Sequence, residues 1–80
     1  MKNLYNIDTQ GFFFFITLKK RCAKDIYAFA QHLEFALKKF KVDVKSVSRD
    51  NMMIRGMSIE DTGIFIEDAI AKEIKYYFKK

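Results

Sequence analysis

The sequence holds no proline and no tryptophan, one cysteine, one histidine and three glycines. Each scarcity removes a class of protein. The single cysteine, Cys22, rules out an internal disulfide and any cysteine-cluster metal site. A fold that does not need oxidation points to an intracellular setting, the cytoplasm or an organelle matrix. Gly11, Gly56 and Gly63 stand apart, so there is no glycine-rich phosphate loop. Gly63 follows Glu60 and Asp61, a poor setting for an anion at a helix start. No apolar run approaches the ~20 residues that a membrane span needs. The opening residues, MKNLYNIDTQ, show neither a charged-then-apolar signal nor an Arg-rich presequence, and the chain reads as soluble.

What is present supports a packed core. Half of the 80 residues are hydrophobic and 16% are aromatic, enough apolar surface to offset chain entropy in one small α+β domain over residues 1–80. Fifteen Lys and Arg against ten Asp and Glu leave a net charge of +5, which favours acidic partners such as nucleic acid or an anionic membrane. The same lysine excess, beside abundant Phe, Ile, Asn and Tyr, is also what AT-rich coding produces. Charge by itself therefore argues only solubility and association.

The chain is organised around Phe12-Phe13-Phe14-Phe15-Ile16-Thr17-Leu18. The run is too short for a self-sufficient helix and rich in aromatic and β-branched residues, so it predicts a strand. Alternation puts Phe12, Phe14, Ile16 and Leu18 on one face, and Phe13, Phe15, Thr17 and Lys19 on the other. A strand greasy on both faces belongs inside a sheet, away from an aggregation-prone edge. Leu4–Ile7 predicts a short partner strand, with Asp8-Thr9-Gln10-Gly11 as the turn of a hairpin.

Lys19-Lys20-Arg21 reads as a loop. A helix then runs from about Asp25 to Lys41, with Lys24 or Asp25 at its start. Ile26, Phe29, Ala30, Leu33, Ala36, Leu37 and Phe40 form its apolar stripe. Val42–Val47 and Met52–Ile59 predict a second hairpin about Ser48–Asn51, with Gly56 marking a bulge or a close approach. A last helix, capped by Asp61 or Thr62, carries Ile66, Ile70, Ile74 and Tyr77 on one face. A rival reading makes residues 63–66 a strand. The order is ββαββα: a two-layer sandwich, with an antiparallel or mixed four-stranded sheet and two helices on one face. Its layout is that of a ferredoxin-like split βαβ arrangement, circularly permuted so that the amino-terminal strand stands in for the last one.

Catalytic chemistry finds little support. His32 falls beside the core stripe of its helix as a partly exposed side chain, and nothing places it near a nucleophile. Cys22 follows three basic residues, which would lower its pKa, but the strand–helix junction suits a small tucked residue better. Glu60-Asp61 and Glu67-Asp68 suit a helix dipole better than a divalent cation. No catalytic residue, metal ligand or cofactor site is assigned.

The candidate contacts are apolar and basic residues that the fold leaves over. Phe35 lies opposite the core stripe, among Gln31, His32, Lys38 and Lys39, with Tyr27 and Lys24 on the same broad side. On the uncovered sheet face, Phe13 and Phe15, or Phe12 and Phe14, must point outward, together with Arg55 and Lys45. Lys19, Lys20 and Arg21 add charge. RNA-recognition domains stack bases on sheet aromatics in this way. The returning strand here carries methionines where their signature has aromatics, so that family is not assigned. The expected function is a non-catalytic, basic binding and assembly subunit of a larger complex. That complex is expected to be RNA-containing and ribosome-like, with lysines on RNA and phenylalanines on protein. The alternative is a homo-oligomeric or regulatory module joined through the open sheet face.

Overall fold

The computed structural model describes residues 5–59 and 64–78. Among them are four strands, β1 (Tyr5–Gln10), β2 (Phe13–Leu18), β3 (Val42–Ser48) and β4 (Met53–Ser58), and two α-helices, α1 (Ile26–Ala36) and α2 (Ile64–Tyr77). The strands form one sheet in the order β1-β2-β4-β3. Every pairing is antiparallel, so the mixed alternative falls. The phenylalanine strand is internal, between β1 and β4, as its two apolar faces require.

The β1–β2 hairpin is tighter than the sequence suggests. Asp8, Thr9 and Gln10 extend β1, and only Gly11 and Phe12 remain in the turn. Gly11 adopts φ of 58°, the left-handed value that a two-residue hairpin loop asks of its first residue. Phe12 therefore lies outside the strand, exposed rather than stacked with Phe14.

Even-numbered residues of β2 face the helices. Phe14, Ile16 and Leu18 join Ile54 of β4, Ile26, Phe29, Ala30 and Leu33 of α1, and Ile66, Ile70 and Ile74 of α2 in one buried core. The helices meet at a ring cluster. Phe29 lies 5.2 Å from Tyr77 and 5.0 Å from Phe78, centroid to centroid.

The connections depart from the periodic pattern. Lys20–Asp25 winds as a 3₁₀ helix rather than a loop. Asp25 sits at the α1 N-cap, but its side chain makes no capping hydrogen bond. α1 stops at Ala36 instead of reaching Lys41. A 3₁₀ turn over Lys38–Phe40 follows, and Lys41 at φ of 55° reverses the chain into β3. Phe40 thus leaves the helical stripe, yet still packs against the core. Ser58, buried at the end of β4, donates from Oγ to the Phe40 carbonyl at 2.8 Å and holds this turn to the sheet.

Gly56 is a point of close approach, and the bulge lies opposite it. β3 slips register between Val44 and Ser46, leaving Lys45 as the extra residue. α2 begins at Ile64, so residues 64–66 are helical and the rival strand is excluded there. The expected caps Asp61 and Thr62, and Gly63, lie outside the described residues.

Candidate functional site: the open face of the sheet

Directly paired residues of antiparallel strands project to the same side. The register therefore lays out the helix-free face as three rows. The first is Gln10, Phe13, Met57 and Asp43; the second is Asp8, Phe15, Arg55 and Ser46; the third is Asn6, Thr17, Met53 and Ser48. Phe13 and Phe15 are the outward phenylalanines, while Phe14 is fully enclosed. Phe13 is 46% exposed and Phe15 half-buried. Phe15 lies directly across from Arg55, as aromatic and cation on adjacent strands.

The centre of this face is thus apolar and carries one guanidinium. Its margins are polar and partly acidic, through Asp8 on β1 and Asp43 on β3. The sequence places Lys45 beside Arg55; the bulge instead gives that place to Ser46. Lys45 reaches back to Asp43, Nζ to Oδ2 at 2.7 Å, and neutralises it. The alternating pattern missed this because one inserted residue flips every later side chain.

The basic residues do not converge on this face. Lys19, Lys20 and Arg21 follow β2, at the end of the sheet marked by Tyr5 and Leu18. Lys38 and Lys39 precede β3, which starts level with Phe13 and Met57 at the opposite end. Six residues of strand, about 20 Å, separate the two groups. Lys39 lies over the Phe40 ring at 5.3 Å.

Phe35 is 80% exposed on α1, with Gln31, Lys38 and Lys39 also exposed, as its position opposite the stripe implies. Tyr27 and Lys24 are exposed as well. His32 is not part of that surface. It turns toward α2, where Nε2 donates to Glu73 Oε1 at 2.7 Å and the ring packs 5.0 Å from Tyr77. No local spacing signals this pair, because its members stand 41 residues apart.

Cys22 is buried at the strand–helix junction. Burial pushes its thiol up from its ordinary pKa; the Arg21 charge pulls it down by less, and Asp25 adds a smaller upward push. The sequence expectation of a lowered value fails because desolvation outweighs the basic neighbour. Glu67 accepts a hydrogen bond from Thr9 Oγ1 at 3.1 Å, tying α2 to β1. Glu60 and Asp61 lie outside the described residues. Among the described residues, no three His, Cys, Asp or Glu side chains gather as a metal site would require.

Hollows open elsewhere among the described residues. A groove of about 440 Å³ between the end of α1 and α2 is lined by Leu37, Phe40 and Phe65, with Lys39, Lys72 and Asp68 among its charged residues. A smaller one, of about 230 Å³, lies between Cys22 and Phe78. The smaller one is also lined by Arg21, Lys24 and Asp25. No helix of the described residues is long and apolar enough to cross a membrane. No protein-family model, no curated protein and no solved structure matches the chain.

Proposed function

We propose that the chain is a non-catalytic binding and assembly subunit that docks onto a protein partner through the open face of its sheet. One observation carries this reading: the Phe13–Met57 and Phe15–Arg55 pairs at the centre of a face that neither helix covers. An apolar centre with a single arginine, rimmed by polar groups, has the make-up of a protein interface. Asp8 at the β1 rim, and Asp43 already paired with Lys45 at the β3 rim, leave Arg55, among the described residues, as the one cation for a phosphate backbone lying across the same face.

A second reading concerns RNA. Lys19, Lys20 and Arg21 at one end, and Lys38 and Lys39 at the other, are all exposed, and they bracket the face without crossing it. In an RNA-containing assembly these groups contact phosphates while the phenylalanines contact protein. The test is one set of affinity purifications from the native source, with and without nuclease, across a range of salt. Phe13→Ser with Phe15→Thr should abolish capture of the protein partner and leave the circular dichroism spectrum unchanged. Alanines at the five basic positions should flatten the salt dependence of RNA capture. A partner set that survives the double change defeats the docking proposal; RNA capture indifferent to salt removes the second reading.

The fold proposal belongs with the function. We read the arrangement as ferredoxin-like and circularly permuted. Counted from β2, the chain runs strand, helix, strand, strand, helix, and β1 takes the place of the final strand beside β2. Tyr5 pairs with Leu18, and Phe78 lines the hollow at Arg21 and Cys22, so both described termini reach one end of the sheet. A chain opened between Gly11 and Phe12, with its old ends joined by a flexible linker, should keep its helix and strand content and unfold cooperatively. A permutant lacking a cooperative transition would sink this reading.

A further inference from the structure

The two edges of the sheet are finished differently. The β3 edge is blunted. Its Val44 N–H, which would invite another strand, donates instead to Glu34 Oε2 of α1 at 2.8 Å. The Lys45 bulge breaks its line, and the Lys45–Asp43 ion pair stands along it. These are devices that keep strands off an edge.

The β1 edge has none of them. Tyr5–Gln10 contains no lysine, no proline and no bulge, and its only charge is Asp8. Its outward amides follow from the ladder. Leu18 N–H donates to Met52 O, and Ser58 N–H to Phe12 O, so the even-numbered residues of β2 bond toward β4. Phe13, Phe15 and Thr17 then bond toward β1, to Gln10, Asp8 and Asn6. The N–H and C=O groups of Tyr5, Ile7 and Thr9 are left facing outward. Among the described residues, no backbone hydrogen bond reaches them from outside the sheet.

We propose that this edge pairs with β1 of a second copy of the chain, antiparallel about a two-fold axis at Ile7. Charge and overlap select the register. Centred on Ile7, Tyr5 faces Thr9 of the other copy, and Asn6 faces Asp8, twice by symmetry. An Asn amide then donates to an Asp carboxylate on the close, non-hydrogen-bonded positions of the new ladder. Centring on Asp8 would set two carboxylates against each other, and centring on Asn6 would shorten the overlap of the described residues. The chosen register makes roughly six main-chain hydrogen bonds. So small a contact gives a weak dimer. It leaves the open face free, so it does not depend on the docking proposal above.

Sedimentation equilibrium from micromolar to millimolar concentration should show a monomer–dimer equilibrium. Asn6→Lys sets opposite charges against Asp8 and should tighten it about two- to tenfold; Asn6→Asp should weaken it about as much. Position 6 is exposed, so both variants should keep the wild-type spectrum. In hydrogen exchange, the amides of Tyr5, Ile7 and Thr9 should slow as concentration rises, while Asn6, Asp8 and Gln10 stay protected throughout. A monomer at the highest concentration overturns the proposal. So does a dimer indifferent to residue 6, or one whose newly protected amides lie elsewhere. Protection of this edge only when a foreign peptide is added would likewise show that the occupant is not a second copy.

Discussion

Gly56→Ala should remove about 2–4 kcal/mol of stability and lower Tm by roughly 10–30 °C. The position has no room for a methyl group. An ideal Cβ there would lie 2.6 Å from Phe14 Cζ and 2.7 Å from the Asp43 carbonyl oxygen. The phenyl ring cannot retreat, because Phe14 is fully enclosed. The carbonyl cannot retreat without disturbing the β3–β4 ladder beside the bulge. Phe14 and Gly56 are direct cross-strand partners, so the ring lies over the glycine and fills the space a side chain would take. Shortening the ring as well, with Phe14→Leu, should relieve only the first clash. Urea unfolding of the single variant checks this, and a loss below about 0.5 kcal/mol, the ordinary surface range, would show that the strand shifts freely.

Phe29→Ala should cost about 3–5 kcal/mol. At about 0.05–0.15 kcal/mol per residue, a chain of this length has roughly 4–12 kcal/mol in all, so the variant should lose from about a quarter to all of its stability. Phe29 is wholly buried and touches both helices. Besides Tyr77 and Phe78, it stacks with His32 at 6.1 Å. His32 in turn holds Glu73 of α2. Removing the ring opens a cavity where α1, α2 and the sheet meet, and the rings around it are too constrained to close over it. Phe29→Leu, which keeps most of the volume, should cost clearly less. Equal losses in the two variants would mean that packing at this site is not what joins the helices.

The candidate face follows from the same packing. With Phe14, Ile16 and Leu18 turned toward the helices, alternation leaves Phe13 and Phe15 no other direction. The two helices cover one flank of the most apolar strand and leave the other open, which is where the proposed partner would dock. The two basic groups belong to the ends of the sheet, which separates them from the face proposed to meet a protein.

Local chemistry determined a good part of this protein. The phenylalanine run specified an internal strand, since an edge position would expose two apolar faces. The stripe from Ile26 to Leu37 and the isoleucines of α2 specified two helices with one buried side each. Gly11 and Gly56 marked a turn and a close approach, the first through a left-handed backbone conformation that favours glycine and the second through lack of space. Tertiary structure decided what depends on residues far apart in the chain. It paired β2 with β4 and thereby set the strand order. It inserted Lys45 as a bulge and exchanged its place on the open face for Ser46, brought His32 to Glu73, ended α1 at Ala36, and put the two basic groups at opposite ends. Periodicity reports only which side of its own element a residue occupies; what lies across from it is settled when the elements pack together and compete for the same buried space.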